Sequence, residues 1–169
     1  MKILYIVLSF LYLRILEAGT SVRNTFEHQL TLEDVQALAP DILAAVKTRC
    51  PADTMFGNEI RTGGFRALTK YHFQEGIEAG VIFAKTQGGH GSESRTGEIM
   101  LEIITYGSAA REALPGLKEL IVSLNEQCEK GEFPAGELND RRVNAVEEAI
   151  KAIEAATTRP ELRSIPGRN

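Results

Sequence analysis

Tryptophan is absent from these 169 residues, and aromatic side chains make up only 7% of them. A stacking platform for sugars or bases is built from aromatic faces, so it is not expected here. Cysteine is nearly as scarce. Cys50 and Cys128 stand alone, in no CxxC or Cys/His spacing, and imply neither a zinc motif nor a disulfide framework. A basic surplus is lacking too: the formal net charge of -4 leaves nothing to neutralise a phosphate backbone, and nucleic acid is not expected as a partner. No apolar run reaches the ~20 residues that a membrane span needs. Alternating β-branched runs flanked by hairpin turns are also missing, which removes the sheet as a competing architecture.

What remains is 43% apolar and 25% charged, the balance of a folded chain of one-domain size. The longest apolar stretch runs from Ile3 to Leu13, broken only by Ser9, and is followed by Arg14, Ile15, Leu16 and Glu17. Two readings fit it. Lys2, the run and the small residues Ala18-Gly19-Thr20-Ser21 resemble a secretory signal, whereas Arg14 and Glu17 suit an extra helix at the start of the domain. The compartment, cytoplasmic or exported, depends on which applies. The expected organisation is an N-terminal apolar segment over residues 1–29, a helical repeat domain over 30–158, and a flexible tail over 159–169 after the breakers Pro160 and Pro166-Gly167.

Helical periodicity recurs through the middle region. Residues 55–71 place Phe56, Ile60, Ala67, Leu68 and Tyr71 on one face, and residues 98–106 place Ile99, Ile103 and Tyr106 likewise. Each is expected to pair with the helix that follows it. The last two helices share one spacing: Leu114, Leu117, Leu120, Ile121 and Leu124 in the first, Val143, Val146, Ala149, Ile150 and Ile153 in the second. Thr31, Asp53 or Thr54, Ser94 or Thr96, and Ser108 are candidate N-caps, and Gly107 is a candidate stop. Segments 39–47, 78–85 and 113–121 are similar to one another and are punctuated by Pro40, Gly80 and Pro115, at the period of two-helix solenoid repeats.

The run from Tyr106 to Ile121, with Gly107 at a turn followed by Ala113-Leu114-Pro115 and leucines, resembles the HEAT repeat pattern. Residues 30–165, through Met55-Phe56-Gly57-Asn58-Glu59-Ile60-Arg61 and Gly88-Gly89-His90-Gly91-Ser92, are similar to the C-terminal HEAT-repeat region of large bacterial proteins of the planctomycete type; residues 1 to 25 lie outside the likeness. The resemblance implies an all-α fold, a short HEAT-like α-solenoid (an ARM-type superhelix) of stacked antiparallel hairpins. It implies a non-catalytic interaction or scaffold role with a protein partner that the sequence does not name. The chain is then a shortened relative or a piece of a longer solenoid beside a neighbouring repeat domain. No catalytic residue, cofactor or metal is implied, because function on such folds lives in grafted sites.

Three residue groups stand out as candidate sites. The Gly-rich stretch 87–97 carries His90, Ser92, Ser94, Arg95 and Thr96, which at a helix start suit an anion or small ligand. It lacks both the Gly-Lys-Ser/Thr ending of a P-loop and the strand that precedes a dinucleotide fingerprint, so a tight connection is the plainer reading. The alternative function, a lyase-like HEAT-type enzyme subunit, rests on this stretch. Glu59 and Arg61 lie near Gly63-Gly64, a pair that marks either close helix approach or a bend opening a partner groove. His72 and His90 with Glu75 and Glu93 have no ligand-like spacing, and His72 suits a helix C-terminus; His28 lies in a region with no clear pattern. Cys50 and Cys128 follow equivalent helices two layers apart. At about 10 Å per layer they stand ~20 Å apart, too far for a disulfide.

Overall fold

The computed structural model describes residues 30–49, 57–87 and 91–165. The apolar segment 1–29 with His28, the stretch 50–56 with Cys50 and Phe56, the tip Gly88-Gly89-His90, and residues 166–169 lie outside the described residues. Six helices pack together: α1 (Leu32–Lys47), α2 (Gly57–Lys70), α3 (Glu75–Lys85), α4 (Ser92–Ile104), α5 (Leu114–Glu129) and α6 (Glu137–Ala155). A 3-10 helix, Gly107–Ala113, lies between α4 and α5. Among the described residues there is no strand, only a parallel bridge between Phe73 and Arg163.

Local chemistry sets the helix ends. Thr31 caps α1: its hydroxyl accepts from the Asp34 N–H at 3.2 Å, and the Asp34 carboxylate accepts from the Thr31 N–H at 2.9 Å. Val35, Ala39, Ile42, Leu43 and Val46 then form a buried stripe, and Pro40 sits inside the helix on its exposed side. Its ring removes one backbone bond without ending the helix, so Pro40 does not open a repeat. At α5 the proline does fall in the first turn, where no N–H is needed.

Two expected boundaries move. Helix α4 starts at Ser92, with left-handed Gly91 (φ 74°) at its N-cap and no side-chain cap, so Ser94 and Thr96 are not caps. Gly107 takes φ 54° and opens the 3-10 helix; Ser108 donates its N–H to the Thr158 carbonyl at 2.8 Å and does not cap a helix.

Helix α3 lies at the centre, in contact with α1, α2, α4, α5 and the 3-10 helix. The tight chain-neighbour pairs are α1 with α2, α3 with α4, and α5 with α6, one helix out of phase with the expected pairing. Gly64 eases the first: a Cβ there would stand 3.0 Å from the Ile42 side chain, which would have to give way for α1 to stay so close. Between α4 and α5 the 3-10 helix intervenes and separates the two. The broadest contact joins α4 to α6. A single core runs through all six helices, from Val35 to Ile153 and on to Ile165.

That last residue corrects the expected loose tail. Thr158 and Arg111 tie the start of the tail to the 3-10 helix, where the Arg111 guanidinium reaches the carbonyls of Glu154 (3.2 Å) and Ala156 (2.8 Å). Further on, Arg163 and Ile165 dock against the α2–α3 turn, and Ile165 is 2% exposed.

Candidate functional site

Helix α4 begins inside the Gly-rich stretch, so Ser92, Ser94, Arg95 and Thr96 occupy its first turns and point in different directions. Ser92 and Thr96 are fully buried on the inward face, and the Thr96 hydroxyl donates to the Ser92 carbonyl at 2.8 Å. Ser94 is exposed. Arg95 donates from Nε to the Gln87 side-chain oxygen at 2.7 Å, tying the end of α3 to the start of α4. His90 lies outside the described residues. The four described residues share a helix start but do not converge on one surface point.

Beside this helix start lies a polar cluster that the sequence reading passed over. Asn139 and Arg142 occupy the same helical phase as Val146, Ala149 and Ile153, and that phase was the available signal. Arg142 is fully buried. Its guanidinium stacks 4.0 Å over the Phe133 ring and donates from Nη2 to Gln127 Oε1 at 2.7 Å, while Nε and Nη1 have no acceptor. Burial lowers its pKa, and the neighbouring Cys128 and Glu93 partly oppose that; an arginine stays protonated regardless. Asn139 binds Asn125 at 3.0 Å, and Cys128 is a free thiol. The cluster ties α6 to the end of α5 and to the connection that follows it.

Glu59 and Arg61 part company in space. Glu59 is exposed, whereas Arg61 is 3% exposed. Its guanidinium donates to the Val46 carbonyl from Nε (3.2 Å) and Nη2 (2.8 Å), donates to the Thr86 hydroxyl, and lies 4.4 Å over the Phe83 ring. Arg61 therefore caps the end of α1 and cannot reach a partner across the surface. Of the glycine pair beside it, Gly64 serves close approach to Ile42 and Val46 of α1.

Around His72 the residues read as ligand candidates have other tasks. His72 holds φ 51°, a left-handed conformation, and its ring meets Tyr106 edge-on at 5.5 Å. Glu75 accepts from the Ile165 N–H at 3.0 Å. Tyr106 is buried and donates its hydroxyl to the Phe73 carbonyl at 2.8 Å; burial, then Glu102 and Glu75, push its pKa far above the ordinary phenol value, so it remains a donor. Among the described residues no three His, Cys, Asp or Glu side chains gather closely enough to hold a metal ion.

On the outside of α2 and α4 a charged seam is built. Arg66 reaches Glu98 at 3.2 Å and Glu102 at 3.7 Å, and the Thr69 hydroxyl donates to Glu102 at 2.5 Å. Leu101, between the two glutamates in sequence, is 68% exposed, the most exposed large apolar side chain among the described residues. No helix among the described residues is long and apolar enough to cross a membrane. No protein-family model, curated protein or solved structure matches the chain.

Proposed function

We propose that this protein is a non-catalytic interaction or scaffold module of the HEAT-like, ARM-type solenoid kind, built as a short stack of helical hairpins. The order of helix contacts carries the reading. Helices α1, α3 and α5 follow one another side by side, as do α2, α4 and α6, and each odd helix is backed by the next even one. That nearest-neighbour order is what stacked hairpins produce. Helix α6 supports it as a terminal cap, because Asp140, Arg141, Asn144, Glu147, Glu148 and Lys151 leave its outer side polar and exposed. The ligand-binding alternative at 87–97 draws less support, since Ser92 and Thr96 face inward.

The contact surface in this reading is the outer side of α2 and α4, where Leu101 stands exposed beside the Arg66, Glu98 and Glu102 seam. An apolar anchor rimmed by charge is the usual make-up of a binding surface. Affinity capture with the full chain, read by quantitative mass spectrometry, tests it against Leu101→Asp. A partner enriched by the natural chain is expected to fall at least tenfold with the variant, at unchanged Tm. Equal recovery with both baits rejects this surface.

A further inference from the structure

The docked tail is held in the manner of a bound peptide. Arg163 pairs with the α2–α3 turn through two main-chain bonds, its N–H to the His72 carbonyl at 3.0 Å and its carbonyl from the Gln74 N–H at 2.8 Å. Its guanidinium donates to the Tyr71 carbonyl at 2.9 Å. Ser164 points to solvent, and Ile165 is buried again, the alternation of an extended segment lying on a surface. Main-chain pairing with alternate side chains anchored is the logic of strand-addition recognition.

The receiving turn is also held by bonds that do not involve the tail. The turn is fixed by His72 N–H to the Thr69 carbonyl (2.9 Å), Phe73 N–H to the Leu68 carbonyl (3.0 Å) and the Tyr106 hydroxyl to the Phe73 carbonyl. Gly76 makes room for that phenol. Between Ala156 and Arg163 the tether is held at a few points: Thr157, Thr158, Arg159 and Glu161 are exposed, Pro160 is half-buried, Leu162 packs half-buried against the core, and the main-chain bond at Thr158 anchors its start. The tail also leaves capacity unused. Glu75 Oε2 is buried with no donor, and the residue after Ile165 is Pro166, which has no N–H to give.

We propose that the cleft formed by the α2–α3 turn and Glu75 is a peptide-binding groove, filled in cis by residues 163–165. Its trans ligand is an extended segment of a partner protein with arginine two positions before a branched aliphatic residue and a non-proline residue after it. A partner segment competes with the tail, which as a tethered ligand acts at an effective concentration in the millimolar range. This inference is independent of the Leu101 surface.

The probe is a synthetic peptide of residues 157–169 with alanine in place of Pro166, tested on the full chain. In the natural chain, an excess above millimolar is expected to raise hydrogen exchange at the Arg163 amide at least tenfold while the Gln74 amide stays protected, because the incoming peptide accepts its bond. Ile165→Asp in the full chain loosens the tail, and this variant is expected to bind the probe at least tenfold tighter than the natural chain by fluorescence anisotropy. A control peptide with aspartate at the Ile165 position binds neither. Unchanged exchange at Arg163, or loss of protection at Arg163 and Gln74 together, overturns the proposal. So does a folded Ile165→Asp chain that ignores the probe. Should that variant fail to fold, the exchange measurement on the natural chain decides alone.

Discussion

Arg61 and Glu59 are two residues apart on one helix and differ in almost everything that fixes their energetic weight. Arg61 makes two bonds to the last turn of α1 from a buried position. Hydrogen bonds to a charged donor contribute about 1.5–3 kcal/mol each, and losing them leaves a buried carbonyl orphaned. Arg61→Ala is therefore expected to lower stability by about 2–4 kcal/mol in urea unfolding, and Glu59→Ala by less than about 0.5 kcal/mol. The reverse ordering would mean that Arg61 does not hold α1. Sequence reading grouped the two because their spacing is legible and their depth is not: Arg61 at one side of the stripe and Glu59 at its edge carry no mark of burial. The cap on α1, by contrast, was legible, since Thr31 and Asp34 have the spacing that reciprocal capping requires. Asp34 is held below its ordinary pKa, first by the Thr31 side chain and then by the Thr31 backbone. A lowered folded-state value stabilises above the ordinary carboxylate range near pH 4 and is lost as pH falls through it. Thr31→Ala should thus lower the Tm at neutral pH and lower it less once the pH falls below the ordinary carboxylate range, compared by thermal melts.

At the level of helices, glycine decides how near the elements approach. A Cβ on Gly80 would lie 2.7 Å from Phe65 and 2.9 Å from Ile103, one on α2 and one on α4. Gly97, within α4, would meet nothing inside 4 Å. Propensity alone predicts a gain of up to about 1 kcal/mol for alanine at either position. Overpacking at a tight contact costs about 1–3 kcal/mol, so the two should separate in sign: Gly80→Ala lowers the Tm and Gly97→Ala raises it. Two upward shifts would show that α2 and α4 yield easily around α3. The sequence marked Gly80 as punctuation for a repeat. Periodicity located most helices within a few residues and their inward stripes, but it contains nothing about which neighbour a small residue admits, and so the pairing of α1 with α2 was missed. Helix α4 was also read too short, because Ser92, Ser94 and Gly97 look like loop residues when their burial is unknown.

Across the whole molecule, the all-α character was legible from the lack of any strand pattern, while the fate of the C-terminal segment was not. Pro160 and the polar residues around it signal the end of regular structure, and an extended segment docked by main-chain bonds carries no periodic signature. Its contribution is measurable. Ile165 is almost fully buried, and its truncation to alanine should cost about 2 kcal/mol or more. Arg163→Ala, losing a single bond to a carbonyl from a half-exposed guanidinium that water screens, should cost about 1 kcal/mol. Urea unfolding that leaves both variants unchanged would mean that the segment adds nothing to the stability of the helices it crosses.

The same docking has a consequence in time. Arg163 binds Tyr71 across 92 positions of the chain, and Ile165 binds Glu75 across 90. At roughly 5–20 residues per second, a ribosome needs about 5–18 s to travel that distance. For that interval in the nascent chain the Gln74 amide and the Tyr71 and His72 carbonyls await their native partners, and any extended segment already present meets them first.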